Sequence, residues 1–205
     1  MPLDLPPVTR NLLIANFAVF LLQYMMGETM MQYFALWPLG SGLFEFWQIV
    51  TSAFMHGGIM HILFNMIALY MFGGVIERTF GARNFILYYF VCAIVASLLQ
   101  LAVLWFFPPD QPGPTLGASG AIFGLLLAFG MLYPHEKVML MFLPIPMPAW
   151  LFVTGYAIVE LTSGVTGFEP GVAHFAHLGG MLGGIVMIQY WRGRLPIKPK
   201  RLLLR

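Results

Sequence analysis

Ser119 stands in the run Gly117-Ala118-Ser119-Gly120 at the start of an apolar block, and His177 and the pair His61/Asn65 open two further apolar blocks. A serine hydroxyl becomes a nucleophile once a base takes its proton, and histidine is the usual base. Ser119 with His177 is therefore a candidate dyad. A tetrahedral oxyanion needs donors aimed at it; the side chains of His61 and Asn65 and the backbone N–H groups around Ser119, from Gly117 onward, can supply them. No Asp or Glu has an obvious place beside His177. Glu160 and Asp110 are the two carboxylates within reach of the idea, and the sequence favours a dyad with Glu160 structural.

These groups lie in a chain of 205 residues of which 60% are hydrophobic and 9% charged, with mean hydropathy +0.82. A soluble domain carries about 25% charged residues, so this composition is that of an integral membrane protein. The single Cys92 excludes an internal disulfide and reads as a small buried hydrophobe. Hydropathy and breakers divide the chain into six spans, roughly 11–30, 59–76, 85–107, 119–133, 148–164 and 175–191. All are expected to be helical, because backbone in lipid must satisfy its own hydrogen bonds. No small-x-small cleavage site follows the first block in Gly27-Glu28-Thr29-Met30, so that block is read as a retained span rather than a signal peptide. The connection 31–58 is long and rich in Tyr, Phe and Trp, as expected of a segment lying in the membrane interface.

Charge orients the spans. Arg10, Arg78, Arg83, Lys137 and the cluster from Arg192 to Arg205 fall in alternate gaps, while 31–58, 108–118 and 165–174 contain no Lys or Arg. Basic residues stay on the cytoplasmic side, which places both termini there. The fold class is thus an all-α bundle of six transmembrane helices at 1–191, followed by a basic tail at 192–205 whose expected role is anchoring to anionic lipid. The small six-span form suggests a prokaryotic inner membrane.

Depth ties the chemistry to this frame. Ser119 to Tyr133 covers roughly 22 Å at about 1.5 Å per residue, short of a hydrocarbon core of about 30 Å. With Lys137 held at the cytoplasmic surface, Ser119 lies below the outer boundary. His177 is fifteen positions from Arg192 and His61 is sixteen from Glu77, so all three share one level, with Asn65 a turn deeper on the face of His61. Taken singly, a membrane Ser is a packing residue and a His at a span end is interfacial. Their common depth argues for a site, since polar groups at that level are costly and usually functional. The small-residue faces Gly120-x-x-x-Gly124 and Gly180-x-x-x-Gly184 would let the fourth and sixth spans touch, bringing Ser119 to His177. Two alternatives stay open from the residues. His56, His61, His174 and His177 could jointly bind zinc, though no His-Glu-x-x-His is present. A transporter with a midplane polar site would show inverted repeats, and none is visible.

The segments His61-Ile-Leu-Phe-Asn65, Gly117-Ala118-Ser119-Gly120 and Ala176-His177-Leu178-Gly179-Gly180, with Glu77-Arg78 after the second span, together resemble the rhomboid intramembrane serine proteases over essentially the whole chain. The resemblance implies that Ser119 is the nucleophile and His177 the base, with His61, Asn65 and the Ser119 N–H forming the oxyanion hole. It implies that Phe123 is the aromatic ring on which the base packs, at a position that in the family is often Tyr. Trp47-Gln48 replaces a frequent Trp-Arg of the first loop, which removes an arginine brace. The implied substrates are single-span membrane proteins cut near the outer face, with the fifth span as lateral gate. No metal, cofactor or nucleic acid is implied. A catalytically inactive, client-binding relative is the competing expectation.

Overall fold

The computed structural model describes residues 5–109, 111, 113–139, 145–168, 171–199 and 203–204. Helix α1, Pro7–Met26, starts where Pro7 fixes a helical φ and needs no partner for its missing N–H. Its open N-terminus is closed from a distance: the Val8 and Thr9 N–H groups and the Thr9 hydroxyl all donate to the carboxylate of buried Glu77, at 3.0, 2.7 and 2.8 Å. It ends at Gly27, whose φ is +52°, and the chain turns into α2, Glu28–Phe34. The first helix therefore lies four residues earlier than the expected 11–30, because Pro7 and Glu77 set its start and Gly27 breaks it.

The first loop is braced rather than loose. It carries α3, Gln48–Thr51, which runs into a 3₁₀ turn at Ser52–Phe54. Gln48 is fully buried; its Oε1 accepts from the Trp37 N–H at 3.1 Å and its Nε2 donates to the Leu43 carbonyl at 3.0 Å. The Trp47 indole adds a bond to the Tyr33 carbonyl at 2.8 Å. A neutral amide thus braces this loop from its interior.

Next come α4, Ile59–Ala68, a π-helical turn at Leu69–Gly73, and α5, Gly74–Phe80, forming one continuous rod. Gly81 (φ +75°) separates it from α6, Ala82–Phe106. Helix α7, Ser119–Leu132, has only 14 residues. A two-residue antiparallel pairing of β1, Lys137–Val138, with β2, Met147–Pro148, leads into α8, Ala149–Thr166, and then α9, His174–Trp191. The protein is thus mostly helical. Pro7–Met26, Ile59–Phe80, Ala82–Phe106 and Ala149–Thr166 are long and apolar enough to cross a membrane. Apolar side chains such as Phe17, Leu21, Trp105, Ile158 and Val159 point outward, as lipid contact requires.

Helix α7 is the axis. Gly120 through Ala128 are all buried, as expected of a helix apolar on every side. Glycine sets how closely its neighbours approach. A Cβ on Gly180 would overlap the Gly120 carbonyl, and one on Gly120 would lie 2.5 Å from the Ala96 Cβ. One on Gly179 would lie 2.8 Å from the Ala96 Cα. Helices α6, α7 and α9 therefore meet backbone to backbone, and the Tyr88 hydroxyl fixes the contact by donating to the Gly124 carbonyl at 2.7 Å. Cys92 is buried and free, against Gly124. In the tail, the Leu203 N–H reaches the Trp191 carbonyl at 3.2 Å, so residues 203–204 fold back onto α9.

Candidate active site

Ser119 is the first residue of α7, so its N–H has no intrahelical acceptor and is free to donate. The strand of chain leading to it is fixed by backbone bonds: Leu36 pairs with Thr115 at 2.9 and 2.8 Å, and the Gly117 N–H donates to the Ser52 carbonyl at 2.9 Å. Gly117 has φ +127°, and a Cβ there would sit 2.8 Å from His61 Nε2. Only glycine meets both conditions. A narrow pocket, with room for little more than one water molecule, lies on this side of Ser119, lined by small residues that include Ser52, Ala93, Ala96 and Ser97.

The His177 ring lies flat on Phe123, with centroids 4.2 Å apart and planes 6° from parallel, and Phe123 in turn stacks on Tyr156 of α8 at 5.1 Å. The stack holds the imidazole in one plane. His177 Nε2 then meets Ser119 Oγ at 2.8 Å. The close α7–α9 approach is what makes this reach possible. On its other side, His177 Nδ1 lies 2.9 Å from Glu160 Oε2, and the same oxygen lies 2.7 Å from His174 Nδ1. His174 Nε2 faces the Phe168 carbonyl at 3.0 Å. Glu160 and His174 are both buried.

His61 is oriented from the backbone. The Gly57 N–H donates to His61 Nδ1 at 3.2 Å, so a neutral His61 carries its proton on Nε2, the atom that faces Gly117. Asn65, a turn further along α4, is buried, and its Nδ2 has no hydrogen-bond partner among the described residues. His56 is fully buried, edge-on to Phe20 and to His61 at 6.5 and 5.2 Å. Its backbone is clamped by Gln23, which donates to the His56 carbonyl at 2.6 Å and accepts from its N–H at 3.0 Å. Burial first, and the neighbouring His61 second, pull the His56 imidazole down to about 4.

Ser119, His177, Gly117, His61, Phe123, Gly120 and Gly180 are thus gathered at one end of α7 and α9, with Asn65 a turn along α4 from His61. Two expectations change. Glu160, expected to be structural, contacts His177 directly. The four histidines do not form one ligand set: among the described residues, the group of three whose ligand atoms lie within 4.8 Å of one another is Glu160, His174 and His177. Asp110 lies outside the described residues. Glu160 was hard to find in the sequence because it is seventeen positions from His177, across a turn whose geometry no local pattern specifies.

A half-buried serine–histidine contact thus sits in the first turns of α7 and α9, in a helical bundle that carries apolar, membrane-length helices, with the His61 ring facing Gly117 beside it. Residues 43–194 match the Rhomboid domain family model, and the chain belongs to the rhomboid family. It is 38% identical over 139 residues to Rhomboid protein 1, mitochondrial, of Saccharomyces cerevisiae, covering 67% of this chain and 40% of that protein. With RHOMBOID-like protein 12, mitochondrial, of Arabidopsis thaliana it shares 34% identity over 194 residues, 84% of this chain and 55% of the other. It is similar to Rhomboid protease GlpG of Klebsiella pneumoniae at 28% identity over 182 residues, 88% of this chain and 62% of the other. The chain therefore spans about two fifths to three fifths of the length of these relatives. Mitochondrial proteins stand among them, so the expected prokaryotic inner membrane is not supported; what holds is a membrane protein.

Proposed function

We propose that the chain is an intramembrane serine endopeptidase. The observation that carries this reading is the 2.8 Å contact between Ser119 Oγ and His177 Nε2, made at the level where α7 begins. In the proposed reaction His177 takes the Ser119 proton as the oxygen attacks the scissile carbonyl. The oxyanion receives His61 Nε2–H, the Asn65 amide and the Ser119 N–H. The imidazolium then protonates the leaving amine, and water, activated by the same histidine, releases the acyl group from Ser119. No metal or cofactor takes part.

The membrane frame is part of the proposal. Residues 1–191 would form six spans with both termini cytoplasmic, with α7 and α9 joining the other four, and 192–205 would be a basic tail against anionic lipid. The substrates would be single-span membrane proteins cut near the outer face and admitted past α8. That helix exposes Trp150, Leu151, Ile158 and Leu161 on its outer side and follows Pro146 and Pro148.

The test is cleavage of a model single-span substrate by purified protein in detergent or vesicles. Ser119→Ala and His177→Ala are each expected to abolish turnover. An unchanged rate in Ser119→Ala would reject the nucleophile, and binding without cleavage by the unaltered chain would support the inactive, client-binding reading. Loss of activity on chelation, restored by zinc, would support a metal site instead.

A further inference from the structure

The contacts around Glu160 fix where protons must lie. The Phe168 carbonyl can only accept, so His174 Nε2 carries a hydrogen. A neutral His174 would then present a lone pair from Nδ1 to Glu160 Oε2 at 2.7 Å, and two bare acceptors do not stay that close. One proton therefore lies between these two atoms, on whichever of them holds it. In either case the remaining lone pair of Oε2 can only accept, and the group facing it at 2.9 Å is His177 Nδ1. His177 must donate from Nδ1. Its Nε2 is left bare toward Ser119 Oγ, the arrangement a general base requires.

We infer that Glu160 is the positioning residue of His177, setting its tautomer and ring orientation, and that His174 holds Glu160 in place through the shared proton. The inference rests on the proteolytic reading for its effect on rate, but not for its effect on the tautomer. The linked set runs from the Phe168 carbonyl through His174, Glu160 and His177 to Ser119. It draws on α8 for the carboxylate, α9 for both imidazoles and α7 for the hydroxyl. The arrangement is economical in charge: because the shared proton neutralises the His174–Glu160 pair, no lone carboxylate is buried beside the base. Phe123 fixes the ring from its face and Glu160 from its edge, so both the tilt and the rotation of His177 are determined.

Five variants and two readouts test it. With a single-span substrate, Glu160→Ala is expected to lower kcat by about 100-fold or more while KM stays within about twofold, since a triad carboxylate acts on the base and not on substrate binding. Glu160→Gln, whose amide oxygen can still accept from Nδ1, should recover part of that loss. His174→Phe leaves Glu160 without its second hydrogen-bond partner and is expected to cost about tenfold in kcat, from the looser hold on the carboxylate. The ¹⁵N NMR shifts of His177 in Ser119→Ala protein, where no turnover complicates the spectrum, should report the Nδ1–H tautomer. The double variant Ser119→Ala/Glu160→Ala should show a mixture of tautomers. An unchanged kcat in folded Glu160→Ala, or an unchanged His177 spectrum, would overturn the inference while leaving the Ser119 dependence of cleavage intact. If the unaltered protein shows no Ser119-dependent cleavage, the proteolytic reading fails, and the spectra still decide whether Glu160 sets the tautomer.

Discussion

Two histidine pairs flank the same serine, and they are built in opposite ways. His61 and His56 meet in a T-shaped contact, where both ring nitrogens of His56 lack hydrogen-bond partners among the described residues. His177 and His174 meet across a shared carboxylate. What faces Nδ1 decides the role. A backbone N–H points at His61 Nδ1 and pushes the proton to Nε2, making a donor toward Gly117. A carboxylate oxygen faces His177 Nδ1 and holds the proton there, making Nε2 an acceptor toward Ser119. In the proposed reaction the same side chain would serve as oxyanion donor or as base according to one neighbour.

The sharpest way to break this contrast is glutamine at each position. Gln offers an N–H donor but no basic nitrogen. His177→Gln is expected to reduce cleavage to background, a loss of about 10⁴-fold or more. His61→Gln should keep a donor near Gly117 and stay within about tenfold of the parent, whereas His61→Ala should fall by about 10²- to 10³-fold in kcat. If His61→Gln were as damaged as His177→Gln, the two histidines would not have different jobs. Cleavage rates at saturating substrate decide between these outcomes.

A weaker effect probes the scaffold that brings the pairs together. Gly180→Ala would push a methyl into the Gly120 carbonyl and move α9 away from α7. Overpacking of this kind costs about 1–3 kcal/mol, against a gain of up to about 1 kcal/mol from replacing helical Gly with Ala. The expected result is a lower melting temperature and a longer Ser119–His177 contact, hence reduced labelling of Ser119 by a serine-reactive fluorophosphonate. Gly155→Ala on α8, where a Cβ would meet nothing within 4 Å, is the control and should show neither change.

How far the sequence could be read divides along similar lines. The apolar helices are visible because each is a hydrophobic run closed by Gly, Pro or charge, and Ser119, His177 and His61 stand out because each is counted from a charged end. Contacts set by tertiary packing are not visible. The start of α1 depends on Glu77, nearly seventy positions away, and no window on residues 1–20 contains that carboxylate. The π-helical turn at Leu69–Gly73 alters the register of the rod after Asn65, which a uniform 100° per residue conceals. Glu160 meets His177 only because α8 and α9 pack side by side, and Gln48 braces the first loop through backbone carbonyls that carry no sequence signal.

The smallest expected effect on catalysis, and the cleanest test of how the two pairs differ, comes from His56. No described residue hydrogen-bonds its ring, so Phe can replace it with little loss at neutral pH, because an unsatisfied buried polar group gives up nothing when it becomes apolar. Cleavage by His56→Phe should stay within about twofold of the parent. Acid reveals the difference. His56 is held down to about 4 in the fold and returns to its ordinary value near 6.5 when exposed, so the unfolded chain binds the extra proton across that window. Stability then falls as pH drops from about 6.5 to about 4 and levels off below, by about 3 kcal/mol at about 1.4 kcal/mol per unit. His56→Phe should lack that part of the loss. Melting temperatures of both proteins in detergent from pH 7 to pH 4 measure it, and the difference between the two curves isolates His56 from the carboxylates and His61, which both proteins share. Parallel curves would mean that the corner around His56 admits water, and the His61 pair would then be as polar in its surroundings as the His177 pair.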